Sequence, residues 1–150
     1  MSRCLVALAL FLALVAAGCG GQPAPSATCT DGDAPILAAL RHAPAPVTLS
    51  DGARLSDCVR RSTSDAELEN LGAVVTRAAD QLADGAAAKR PGAALALGYL
   101  VGAVRRGASH TNGIAAELVH RVEAAMRRAA TGAGARVDLA RGLSAGARTG

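Results

Sequence analysis

Apolar residues along the chain fall into three patterns, each predicting a different element. Leu68, Leu71, Val75, Ala78 and Leu82 recur at spacings of three and four, the stripe of an amphipathic helix. Ser64 and Glu67 precede that stripe as a capping box, and Asp65 suits the positive end of the helix dipole. This helix should end near Asp84-Gly85 or fray towards Pro91. A second pattern is the run from Ala93 to Val104, "AALALGYLVGAV", apolar on every side. It is too short to span a bilayer, which takes ~20 residues, so it should be the buried central helix. The third pattern is another stripe, Ile114, Leu118, Val122, Ala125 and Ala129, with Met126 beside it. Glu117 with Arg121, and Glu123 with Arg127, add favourable i,i+4 pairs on that helix.

Shorter elements precede these. Asp33 can cap a short helix through "APILAALRH", with Pro35 tolerated in the first turn, until "APAP" at Ala43 to Pro46 stops it. After a turn at Ser50-Asp51-Gly52, "RLSDCVRR" can form one or two helical turns carrying Cys58. Gly98 and Gly102 form a small-xxx-small pair suited to close helix approach within the domain. Beyond Thr131, glycine is frequent and apolar residues are few, so a mostly disordered tail is expected over 132–150. No repeat at a solenoid period is visible. Ala and Leu favour helix, while β-branched and aromatic residues are sparse. The expected class is all-α: a small helical bundle over 33–131, with about three main helices and short N-terminal ones, on a flexible tether.

The N-terminus has a separate logic. Arg3 is a minimal positive region, Leu5 to Ala17 an uncharged run, and Ala16-Ala17-Gly18 stand directly before Cys19. A short apolar run followed by small residues reads as an export signal. Residues 1 to about 22 resemble the signal peptide and lipobox of bacterial lipoproteins, with Ala16 where that family usually carries Leu. The resemblance implies that the Cys19 thiol receives a diacylglyceryl group. A dedicated peptidase would then remove residues 1–18 and leave Cys19 as the lipid-bearing N-terminus. It also implies an exported protein, anchored to the extracytoplasmic side of a bacterial membrane, where two acyl chains suffice for stable attachment. Ordinary secretory cleavage after Val15-Ala16-Ala17 is the competing reading.

Cysteine parity bears on that choice. Cys4 departs with the signal, so ordinary cleavage leaves three cysteines outside the cytoplasm, whereas lipidation consumes Cys19 and leaves Cys29 and Cys58 as a pair. In an oxidising compartment these should form a disulfide, worth about 3–4 kcal/mol by loop entropy. A metal or redox role suits them poorly, since their spacing is long and no His lies near either. Between Cys19 and the domain, Gly20 to Thr30 reads "GGQPAPSATCT", a flexible or partly polyproline-like tether taken to extend over 19–32.

Charge changes the picture modestly. Residues 31–84 carry nine acids and five bases, a net of −4, and residues 85–150 carry three acids and ten bases, a net of +7. Such a basic half can face anionic lipid or wall polymer, or simply be a solvated helix face. Nucleic acid is not an expected partner, because the chain is exported and offers no aromatic stacking platform. Glu117 and His120 share a helix face as in half of a di-iron motif, but the rest of that motif is missing, so no metal or cofactor is expected. No Gly-x-Ser-x-Gly elbow supports a catalytic triad, and the chain is not expected to be an enzyme. "GYLVGAVRRGASHTNG" is the densest cluster of unusual residues. It supplies the candidate ligand-binding set Tyr99, Arg105, Arg106, His110 and Asn112. The sequence therefore leaves two readings. One is a membrane-anchored interaction module with an envelope protein partner. The other is a lipoprotein binding a small ligand or anionic polymer through Tyr99–Asn112. A pocket lined by those side chains favours the second; a buried Tyr99 favours the first.

Overall fold

The computed structural model describes residues 24–111 and 113–150, so the expected signal segment and Cys19 lie outside the described residues. Among those described there are six α-helices and no strand: α1 Asp33–Leu40, α2 Leu55–Arg61, α3 Asp65–Ala87, α4 Ala93–Ala108, α5 Ala116–Ala129 and α6 Ala133–Thr149. None of them is long and apolar enough to cross a membrane.

α4 is the hub, in contact with all five other helices. Its all-round apolar surface requires that position, because Leu97, Tyr99, Leu100, Val101 and Val104 each need a neighbour on a different side. The left-handed Gly92, with φ of 76°, turns the chain into α4. α3 begins as its capping box predicts. Ser64 Oγ accepts from the Glu67 N–H at 3.3 Å, and Glu67 Oε2 accepts from the Ser64 N–H at 3.0 Å. The Glu117–Arg121 and Glu123–Arg127 pairs of α5 form at 2.9 and 3.7 Å.

The largest departure from the sequence reading is the C-terminus. Residues 133–149 are not a disordered tail but α6, packed along α4. Glycine, taken as a sign of disorder, is the reason. Gly142 and Gly146 of α6 face Gly98 and Gly102 of α4, and the backbones meet directly. A Cβ at Gly102 would lie 2.7 Å from the Ala147 nitrogen, and one at Gly142 would lie 2.8 Å from the Tyr99 nitrogen. Only hydrogen fits on those four Cα atoms. Close approach of this kind also allows Cα–H groups to meet carbonyl oxygens across the interface. Four long helices therefore build the domain, not three.

Other expectations shift by less. Cys29 and Cys58 form a disulfide with a Cα–Cα distance of 5.7 Å, and both are buried. A 3-10 turn, Ala27–Cys29, leads into it, and Asp51 accepts hydrogen bonds from the Ser26 and Thr28 hydroxyls. The chain is thus tied to the body from Ser26 onward, several residues before the expected tether boundary at 32. Asp33 does not cap α1. Gly32 takes the N-cap position, while the Asp33 carboxylate accepts from Gln81 and lies 3.7 Å from Arg77, joining α1 to α3. Ile114 does not extend the α5 stripe either; it precedes the helix and is 58% exposed.

Candidate functional site

Of the five residues singled out by sequence, the four that are described, Tyr99, Arg105, Arg106 and His110, do not all converge. Tyr99 is fully buried and its hydroxyl accepts from the Val47 N–H at 2.9 Å. The same hydroxyl shares a 3.0 Å hydrogen bond with Thr149 of α6. The only tyrosine is therefore a structural pin joining the 47–49 segment, α4 and the end of α6. Arg105 turns to α5, donating from Nε to Glu123 at 2.8 Å. Arg106, one position on and about 100° around the helix, donates to the carbonyls of Ala147 and Arg148 at the end of α6. Asn112 lies outside the described residues, and the neighbouring Thr111 accepts from the Ala115 N–H before α5.

Two of the five do share a cavity. Arg106 and His110 line a polar pocket of about 190 Å³ with Arg54, Ser56, Asp57, Arg60 and Gly107. Gly107 explains why α2 can seat there. A Cβ at that position would stand 2.7 Å from Val59 Cβ and would also collide with the Ser56 carbonyl. Within the pocket, Arg60 pairs with Asp57 at 2.6 Å, and buried Ser56 donates to the main-chain oxygen of Gly150. Arg54 and Arg60 were not in the sequence-derived set. They stand about fifty positions before Arg106, and no spacing rule links them.

A larger cavity of about 560 Å³ lies where the ends of α1 and α3 meet the start of α4. Leu37, Leu40, Leu82 and Ala96 form its apolar side, with Arg41 and Arg90 also at its wall. Glu117, considered above beside His120, is engaged with Arg121. Among the described residues, no three His, Cys, Asp or Glu side chains group as metal ligands.

Two carboxylates are held below their ordinary values by hydrogen bonds to the charged form. Asp51 is lowered first by the Ser26 hydroxyl and then by the Ala53 N–H. Glu67 is lowered by the N–H groups of Ser64 and Thr63. Both mark structural junctions, one where the chain joins the body and one at the cap of α3.

Compared with known protein families, with curated proteins and with solved structures, the chain has no match.

Proposed function

We propose that this protein is a lipid-anchored, non-enzymatic interaction module of a bacterial cell envelope. In this reading it is a small helical bundle held at the extracytoplasmic membrane face by a short tether from Cys19. The observation that carries the reading is the Cys29–Cys58 disulfide. Disulfides persist in oxidising compartments, so a buried one supports export. It also accounts for both cysteines that follow the lipobox-like segment, which leaves Cys19 as the odd thiol available for acylation. The buried Tyr99 supports an interaction module over a ligand-binding protein centred on that residue, because its hydroxyl is already committed within the core.

Fractionation of cells expressing the wild-type chain and the Cys19→Ser variant tests the anchor. Wild-type protein should sediment with membranes and be released by detergent, not by high salt. The Cys19→Ser protein should accumulate as uncut precursor. Wild-type protein found wholly in the soluble fraction would end the proposal.

A further inference from the structure

We propose that the cavity between α2 and the C-terminal end of α4 is a binding site for a phosphate group, held by Arg54, Arg60, Arg106 and His110. Three guanidinium groups and an imidazole line it, with Asp57 as the one carboxylate side chain among the lining residues. Asp57 is engaged with Arg60. Arg106 donates to the carbonyls of Ala147 and Arg148, and neither it nor Arg54 has an ion pair among the described residues. Like charges gathered around one small cavity repel, and an anion between them reverses the sign of that interaction.

The shape of the cavity narrows the ligand class. Its volume of about 190 Å³ has room for about six waters at ~30 Å³ each, enough for one hydrated phosphate group. Guanidinium forks match the paired oxygens of phosphate, with two parallel N–H donors each. Arg54, Arg60 and His110 are exposed at the mouth, while Gly107 and Ser56 are buried behind them. A phosphate can therefore enter with its ester substituent left outside. Free phosphate and the headgroup of an anionic phospholipid present the same chemistry. The site stands on its own geometry and does not depend on acylation of Cys19.

Titration of the ¹⁵N-labelled full chain with inorganic phosphate, at constant ionic strength, tests the proposal. Saturating shifts are expected at the Ser56 and Gly107 amides. The Arg54→Gln/Arg60→Gln double variant should bind about tenfold more weakly or worse, the scale of a lost charge-assisted hydrogen bond. Asp57→Asn should bind more tightly, because it removes the only carboxylate side chain lining the cavity, and a purely structural role for these arginines would not produce that gain. In a second arm, the Cys19→Ser chain, with and without Arg54→Gln/Arg60→Gln, is sedimented with phosphatidylglycerol or phosphatidylcholine vesicles; it carries no acyl group but keeps the apolar residues 1–18, whose contribution is the capture common to both lipids and both chains. Arginine-dependent capture by phosphatidylglycerol alone would identify the lipid headgroup as the source. Saturable phosphate binding without vesicle capture would identify a soluble phosphate. Shifts that rise linearly and equally in wild type and double variant, with no arginine-dependent vesicle capture, would overturn the proposal. If the double variant loses its helical circular dichroism, Asp57→Asn decides alone, and unchanged affinity there also overturns it.

Discussion

Replacing Gly146 by Ala should destabilise the domain, although the same change at helical glycines that face open space should stabilise it. A Cβ on Gly146 would collide with the Tyr99 carbonyl group, 2.9 Å from its carbon, and lie 3.0 Å from the Ala103 nitrogen. Carbon contacts are comfortable at about 3.5–4.0 Å, so α6 must retreat from α4 by roughly 1 Å. All of the obstructing atoms are backbone, and none can swing aside. A gap of that size forfeits roughly a quarter to a half of the dispersion energy along the contact. Overpacking of a close interface costs about 1–3 kcal/mol, and alanine returns ~1 kcal/mol through helix propensity. The net loss should be about 2 kcal/mol, taking the upper end because the obstruction is rigid, or roughly 6–10 °C in Tm for a domain of this size. Gly72 in α3 and Gly134 in α6 provide controls, since a Cβ at either meets nothing within 4 Å. Alanine at those sites should raise stability by about 0.5–1 kcal/mol. Thermal and urea melts followed by far-UV circular dichroism, with the disulfide intact throughout, read all three variants. A Gly146→Ala protein melting at or above wild type would show that α6 does not pack on α4 as described.

Three further outcomes follow from the same structure. Tyr99→Phe leaves the buried Val47 N–H without its acceptor and should cost about 1–3 kcal/mol in urea melts, whereas an unchanged midpoint would mean that the pin carries no stability. Cys58→Ser opens a loop closed over a separation of 29 residues and should cost about 3–4 kcal/mol. Alkylation of unreduced native protein should label neither Cys29 nor Cys58, and free labelling of both would remove the clamp. Asp51 and Glu67 have folded values below their ordinary 3.8 and 4.5, so their stabilisation is complete above those values. It should fade as pH falls through the lower folded values. Melting temperature against pH should therefore drop less steeply on the acid side for Asp51→Asn than for wild type. Identical acid limbs would show that the Ser26 and Ala53 hydrogen bonds contribute nothing.

Most patterns confined to one helix are legible in the sequence, and most of those that need a partner helix are not. The α3 capping box, the apolar α4 and the i,i+4 pairs of α5 involve residues within a turn of each other. α6 is hidden in the sequence because frequent glycine and few apolar residues point to a disordered tail. The i,i+4 spacing of Gly142 and Gly146 repeats that of Gly98 and Gly102 and carries the packing signal. Gly98 and Gly102 were read as a close-approach surface, and the matching surface was in the sequence forty-odd residues later. Asp33 was assigned to its own helix because N-capping is local, yet its carboxylate serves a contact with α3. At the candidate site, Arg106 and His110 were visible as a cluster, but Arg54 and Arg60 join them only through the seat that Gly107 offers α2. Tyr99 stands out in the sequence as the only tyrosine, and in the fold it is buried with its hydroxyl bonded to the Val47 N–H and to Thr149.

The central claim is that Cys19 becomes an acylated N-terminus while Cys29 and Cys58 pair with each other. Intact-mass spectrometry of the protein extracted from membranes, with fragmentation of its first residues, reads both parts together. The account predicts a chain beginning at Cys19, heavier by a diacylglyceryl group or a further acylated form of it, and lighter by two hydrogens for the Cys29–Cys58 bond. A mature chain with an unmodified Cys19, or one beginning after Ala17, would contradict it.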